Sequence, residues 1–101
     1  MSAYVVVIDP QAMSDLRELR VYDRRAILDT IQRVLTSAPT RRSQTRIKRL
    51  RGTDSPQYRL RVGEYRVFYD VESVEVYVLR ILPKSLVEKY LKELGHGSED
   101  R

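Results

Sequence analysis

Tyr58-Arg-Leu-Arg-Val-Gly-Glu-Tyr-Arg-Val-Phe-Tyr69 is the stretch whose reading decides the fold. Tyr58, Leu60 and Val62 alternate with Arg59 and Arg61, the period of two that marks a half-buried strand. Gly63-Glu64 fits a two-residue turn with glycine at its first central position, where a positive φ is required. That turn sets the register. Val62 falls opposite Tyr65, Arg61 opposite Arg66, and Arg59 opposite Phe68, and the last two pairs share one face. Like charges directly opposed on a sheet are destabilising. Arg61 facing Arg66 therefore predicts that an anion, a phosphate or a partner's carboxylate, sits between them. The alternative is a solvated face that is merely basic.

Composition narrows the rest. The chain has 101 residues, one domain with a core of limited depth. Cysteine is absent, so there is neither a disulfide framework nor a thiolate metal site, as befits a cytoplasmic protein. No apolar run reaches membrane-spanning length, and Tyr4 to Ile8 is too short for a signal-peptide core, so no membrane is expected. The net charge of +5 is concentrated. Residues 41–66 hold nine Lys/Arg against two acids, Asp54 and Glu64, whereas the remainder holds ten against twelve. Such a segment suits a phosphate backbone or an acidic protein partner.

Outward from the hairpin, Ala3 to Ile8 is apolar and β-branched and reads as a well-buried first strand. Asp9 caps a short helix with Pro10 at its first position and Met13, Leu16 and Val21 on its apolar side. A second helix runs from Tyr22 or Asp23, the expected cap, to Ser37. Ile27, Ile31, Val34 and Leu35 recur at helical spacing with Leu28 beside them, and Pro39 ends it. Thr40 to Thr45 reads as a mobile polar loop. Within Arg46-Ile-Lys-Arg-Leu-Arg-Gly52, Ile47 and Leu50 are apolar anchors. After the hairpin, Val71 to Val74 turns into a third meander strand, Glu75 to Leu82. Ser85 to Leu94 is a closing amphipathic helix with Gly95 past its end. The expected fold is α+β, in the order β-α-α-β-β-β-α. A helical hairpin packs on one face of a mostly antiparallel four-stranded sheet, with a C-terminal helix. Residues 1–95 form a single domain and 96–101, with the sole histidine His96, a polar tail.

The element order and three motifs resemble the RelE/ParE superfamily, the toxins of type II toxin–antitoxin modules. Leu50-Arg-Gly52 resembles the family's K-L-[KR]-G element. The hairpin resembles Y-[RK]-[LI]-[RK]-x-G-x-Y-R-[VL]-x-Y. Val76 to Ile81, followed by a basic residue and then Tyr90, resembles the last strand and C-terminal segment. The likeness spans essentially the whole chain and implies a cytoplasmic toxin of the RelE-like branch. Such a toxin is neutralised by a cognate antitoxin and cleaves mRNA on the ribosome without metal or cofactor. The 2′-hydroxyl attacks the adjacent phosphate. Contact with operator DNA would come only through the antitoxin complex. ParE-like members share the fold and inhibit DNA gyrase; a catalytically weakened, antitoxin-binding member is a further reading.

The resemblance assigns catalytic roles to Arg59, Arg61 and Arg66, with Lys84 and Tyr90 in support. Guanidinium is always charged and binds phosphate bidentately, so Arg66 is expected to stabilise the transition-state charge while Arg61 holds the phosphate. Arg59 positions the backbone or supports the nucleophile. Arginine is a poor base, with a pKa above about 12. Tyr90 shares a face with Leu86, Val87, Leu91 and Leu94, so core and active-site roles both stand. Relatives often carry G-[HK]-R after the last strand; this chain has Leu82-Pro83-Lys84-Ser85-Leu86. Arg41, Arg42, Arg46, Lys48, Arg49 and Arg51 are candidate RNA and ribosome contacts, with solvated loop charge as the alternative. Arg80 is expected to support the patch, re-aimed by a bulge. Asp70 and Glu75 would form an exposed acidic pair bounding it. No metal-ligand spacing, phosphate loop or nucleophilic triad is present.

Overall fold

The structure, a computed structural model, describes residues 3–95 and the backbone of Ser98–Glu99. Its elements are β1 (Val5–Ile8), α1 (Pro10–Arg17), α2 (Val21–Thr30), β2 (Ile47–Arg51), β3 (Tyr58–Val62), β4 (Tyr65–Glu72), β5 (Glu75–Pro83) and α3 (Val87–Glu93). A sheet of order β1-β5-β4-β3-β2 forms the centre, with β1 parallel to β5 and the other pairs antiparallel. The backbone of Ser98–Glu99 (β6) pairs antiparallel with Leu50 and Arg51 beyond it. Otherwise the expected tail over 96–101, His96 included, lies outside the described residues.

The hairpin forms in the expected register, Val62 opposite Tyr65, Arg61 opposite Arg66 and Arg59 opposite Phe68. Gly63 has φ 57°, and its absent side chain would have met no other atom, so backbone conformation alone calls for glycine there. Asp9 caps α1 through Gln11 N at 3.3 Å, with Pro10 first in the helix.

The sheet has two strands more than expected: Ser98–Glu99, and Ile47–Arg51, whose apolar anchors lie on a strand, β2. Ile47 and Leu50, three apart, point to opposite faces, so neither shows the alternation that marks a strand with one wet face. Ile47 joins the large core formed with α1 and α2: Leu16, Ile27, Ile31, Leu35, Leu60, Val67, Tyr69, Val76, Val78 and Ile81. Leu50 joins a second cluster with Phe68, Leu82 and Leu91, closed by Val87, Tyr90 and Leu94. Helices therefore cover both faces: α1 and α2 one side, α3 part of the other. This is why Val67, Phe68 and Tyr69 are all buried in succession.

Four local expectations change. β1 is a half-exposed edge strand: Val6 and Ile8 pack on the large core, whereas Val5 and Val7 stand on the opposite face and are exposed. Met13 is exposed, and Ala12 with Leu16 supplies the buried side of α1, while Val21 opens α2 and is exposed. The residue capping α2 is Arg20; Asp23 lies one turn in and accepts from the Tyr65 hydroxyl at 3.1 Å. Leu28 lies outside the core. The buried stripe of α2 is Ile27, Ile31 and Leu35, at a spacing of four. Each such step overshoots a 3.6-residue turn by roughly 40°. The last turn, Ile31–Leu35, widens to π-helical geometry and takes up that drift.

Opposite Phe68 and Tyr69, β5 carries an extra residue. Phe68 pairs with Arg80 but Tyr69 with Val78. This bulge puts Val78 and Ile81 on the large core and turns Arg80 with Leu82 to the α3 side. β1 pairs only as far as Val78, so the β5 edge beyond is open to α1. Asp15 of α1 uses it, accepting from Ile81 N at 2.9 Å, Arg80 Nε at 2.8 Å and Arg80 Nη2 at 3.2 Å.

Tyr69 ties the core to the turn after α2, its hydroxyl donating to Pro39 O at 2.6 Å. Burial pushes this phenol far above its usual pKa of about 10, with Tyr58 adding to the rise. The native state keeps the proton where the unfolded state releases it, so stability falls as pH rises past about 10. Tyr69→Phe is predicted to lose about 1 kcal/mol at pH 7 in urea unfolding, from the stranded carbonyl. It should also reduce the alkaline fall in stability by about 1.4 kcal/mol per pH unit. An unchanged alkaline slope would contradict this.

Candidate functional site

The period-two alternation of β3 and β4 places Arg59, Arg61 and Arg66 on the α3 face of the sheet, with Lys48 of β2 directly opposite Arg59. Burial orders them: Arg59 is 5% exposed, Arg66 half-buried and Arg61 exposed. A guanidinium that deep must be hydrogen-bonded to persist. Arg59 Nη1 donates to Arg46 O at 3.2 Å. Arg66 Nη1 donates to the carbonyls of Gly63 and Tyr65, both at 3.0 Å, which fixes it over the turn.

Two connections complete the cleft. Lys84 N donates to Glu64 O at 2.8 Å, clamping the end of β5 to the hairpin turn. The α3 segment then presents Lys84, Val87, Glu88 and Leu91, one helical stripe at i, i+3, i+4 and i+7. On the other side, Arg61 N donates to Arg46 O at 2.8 Å, and Ser43 Oγ accepts from Arg46 N and Ile47 N at 2.9 and 3.2 Å. The segment expected to be a mobile loop is thus a hydrogen-bonded turn around Ser43. It walls the cleft with Gln44 and Thr45.

The result is a cavity of about 390 Å³ lined by Arg59, Arg61, Arg66 and Lys84, with Glu88 as its carboxylate and Val87 and Leu91 as its apolar wall. Among the described residues, no hydrogen bond or ion pair engages the side chains of Arg61 and Lys84. Among the described residues, four cations thus surround one carboxylate, and guanidinium geometry suits phosphate oxygens.

Other sequence candidates lie elsewhere. Tyr90 sits about 100° further round α3 than Leu91. Its ring centroid is 4.9 Å from that of Phe68, and Arg80 Cζ lies 5.6 Å from its ring. It lines a separate cavity of about 150 Å³ with Arg80, Leu82 and Glu93, and burial raises its pKa, so the phenol stays neutral at pH 7. Arg80 is engaged by Asp15. Arg49 donates to Gln57 O at 2.7 Å and lies over the Tyr58 ring, on the opposite face of the sheet from Lys48. Arg41, Arg42, Arg46 and Arg51 are exposed around the turn before β2 and at its end. Asp70 and Glu75 do not pair across strands: Asp70 faces Tyr77 and Glu75 faces Glu72. The Asp70 carboxylate accepts from Gln57 N at 2.7 Å and from the Ser55 hydroxyl, which makes it a clamp on the turn before β3.

Sequence reasoning missed Glu88, Gln44 and Thr45. Glu88 had a signal, since it stands four residues after Lys84 and three before Leu91 on one helical stripe. Gln44 and Thr45 had none, because the Ser43 turn that aims them depends on contacts with β3.

Arg61 stands directly opposite Arg66, and like charges so placed destabilise a sheet. At low salt Arg61→Thr is predicted to raise stability by about 0.2–1 kcal/mol, the size of a cross-strand pair term. It should also lose most of the rise in melting temperature that inorganic phosphate gives the unsubstituted protein. Thermal unfolding with and without phosphate measures both; a phosphate response retained in the variant would move the site elsewhere.

Comparison with known proteins agrees with this architecture. Residues 6–86 match the family described as the ParE toxin of the type II toxin–antitoxin system parDE. No protein of curated function matches the chain. Among solved structures, the fold is similar to a chain of the toxin–antitoxin complex RelBE2 from Mycobacterium tuberculosis. That match has TM-score 0.70 and 25% identity, over 80% of this chain and 98% of that one. It is also similar to a chain of the archaeal RelE–RelB complex from Pyrococcus horikoshii, with TM-score 0.66 and 29% identity over 81% and 96% of the two chains. A mutant of the E. coli toxin RelE in the free state matches at TM-score 0.63 and 25% identity, over 89% and 92%. With a family match over most of its length and a fold shared with RelE toxins, the chain belongs to the RelE/ParE superfamily of type II toxin–antitoxin toxins.

Proposed function

We propose that this toxin is a metal-independent endoribonuclease that cleaves mRNA on the ribosome and so stops translation. The observation that supports it is the convergence of Arg59, Arg61, Arg66 and Lys84 on one cleft with, among the described residues, one carboxylate in its wall. In the proposed step the 2′-oxygen attacks the adjacent phosphorus and the P–O5′ bond breaks, leaving a 2′,3′-cyclic phosphate and a 5′-hydroxyl. The Glu88 carboxylate takes the 2′-hydroxyl proton, and the Lys84 ammonium gives a proton to the departing 5′-oxygen. Arg61 and Arg66 hold the phosphate oxygens as negative charge accumulates, the role in which fixed donors contribute most. Arg59, buried and braced on Arg46 O, keeps the floor of the cleft cationic.

The partner follows from the same cleft. Solved structures that resemble this chain are RelB–RelE complexes. An antitoxin for this protein would set acidic side chains on the arginines and an amphipathic segment against the sheet beside α3. A second reading, inhibition of DNA gyrase, is favoured by the family match to ParE toxins and by Leu82-Pro83-Lys84-Ser85-Leu86 standing where RNase relatives often carry G-[HK]-R. In that reading the arginines make protein contacts.

Induced expression with mapping of mRNA 5′ ends separates the two. The unsubstituted protein is expected to arrest growth with new ends inside ribosome-bound codons, and Arg66→Ala to abolish them. Glu88→Gln should slow cleavage about 10²- to 10⁴-fold. Arrest with intact mRNA and a DNA-damage response would establish the gyrase reading instead.

A further inference from the structure

A second cavity, of about 260 Å³, lies on the far side of the Ser43 turn, between the end of α2 and the start of β2. Its floor is apolar: Val34, Ala38 and Ile47. Its rim is cationic: Arg33, Arg41 and Arg46, with the hydroxyls of Ser37 and Ser43 between them. Little in the described residues engages this charge. Neither Arg41 nor Arg46 has a side-chain hydrogen bond or ion pair among the described residues. Among the described residues Arg33 pairs with Asp29, at 3.8 Å with both side chains mostly exposed, a pair of little strength.

The two cavities share one wall. Gln44 and Thr45 face the arginine cleft, while Ser43 and Arg46 face the second cavity. The Arg46 carbonyl fastens that wall to Arg59 and Arg61, so the spacing between cavities is fixed by the hairpin. A ligand that reaches both must be extended, anionic at regular intervals and flat enough at one point to lie on Val34, Ala38 and Ile47. Single-stranded RNA has these properties: phosphates for arginines and a base for an apolar floor. An acidic peptide would satisfy the rim but offers no planar group for the floor.

We propose that this cavity is a nucleotide subsite, in which Arg33, Arg41 and Arg46 hold a phosphate of the RNA whose scissile phosphate occupies the arginine cleft, with the base on Val34, Ala38 and Ile47. The proposal deepens the endoribonuclease reading and rests on it for the second half of that sentence.

The test uses the full chain and a single-stranded RNA hexanucleotide with 2′-O-methyl groups throughout, which cannot be cleaved. Amide NMR shifts report where it binds, and fluorescence anisotropy reports affinity against salt. Shifts are expected at Ala38, Ser43 and Ile47 as well as at Arg61 and Arg66. The Arg33→Ala/Arg41→Ala double variant should weaken binding roughly tenfold and reduce the salt slope, by about 0.7 for each phosphate no longer neutralised. It should leave the shifts at Arg61 and Arg66 in place. Ala38→Leu, which fills the floor without changing charge, should weaken binding while the salt slope holds. Shifts confined to the arginine cleft would overturn the subsite and leave the endoribonuclease reading standing. Shifts confined to the second cavity would keep a nucleotide site and remove its link to cleavage. Shifts there with a polyglutamate peptide but not with RNA would overturn the subsite in favour of a protein partner.

Discussion

The two-residue turn at Gly63-Glu64 is the constraint on which the rest depends. Once glycine takes the positive φ there, strand register is no longer free, and Arg61 must stand opposite Arg66. A slip of one residue would send Leu60 and Val67 to the wrong face and empty the core above α1 and α2. Burial of those side chains thus holds two guanidiniums together against their repulsion. The hydrophobic side of the hairpin thus decides which side chains stand together on its other side. The cationic cleft is a consequence of this coupling, with Lys84 brought in by the Glu64 carbonyl and the Ser43 turn by the Arg46 carbonyl.

The same sheet must be dry on both sides near its centre and wet at its ends. The bulge opposite Phe68 and Tyr69 reconciles these demands. It lets β5 place Val76, Val78 and Ile81 on one core and Leu82 on the other. The amide freed from a regular ladder is taken by Asp15, whose second task is to neutralise Arg80. Arg80 is thereby held against α1, as part of the scaffold beside Tyr90.

Legibility in the sequence followed the local determinants. The hairpin, its register, the Asp9-Pro10 helix start and the Gly95 stop were readable, because turn chemistry and capping act over a few residues. The stripe Lys84, Val87, Glu88 and Leu91 was readable in principle as a helical period. β2 was not, since Ile47 and Leu50 serve different cores and their spacing imitates neither strand nor helix. The exposed edge of β1 was hidden too: Val5 and Val7 look as buried as Val6 until it is known which face of β1 meets the large core. Motif resemblance grouped Tyr90 with the arginines, yet the rotation of α3 turns it to Phe68 and Arg80. For the site, the strand-borne arginines were found from alternation, whereas the residues that close the cleft came from tertiary contacts.

Nε–Hε resonances of the individual arginines, followed as an uncleavable 2′-O-methyl dinucleotide is added, test the central claim most directly. The account predicts that the Arg61 and Arg66 signals shift together, with one saturation curve, and that the Arg49 and Arg80 signals, engaged by Gln57 and Asp15, stay where they are. Binding of the dinucleotide with the Arg61 and Arg66 signals unmoved would contradict it, and the opposed arginines would then be a basic surface and not the phosphate site.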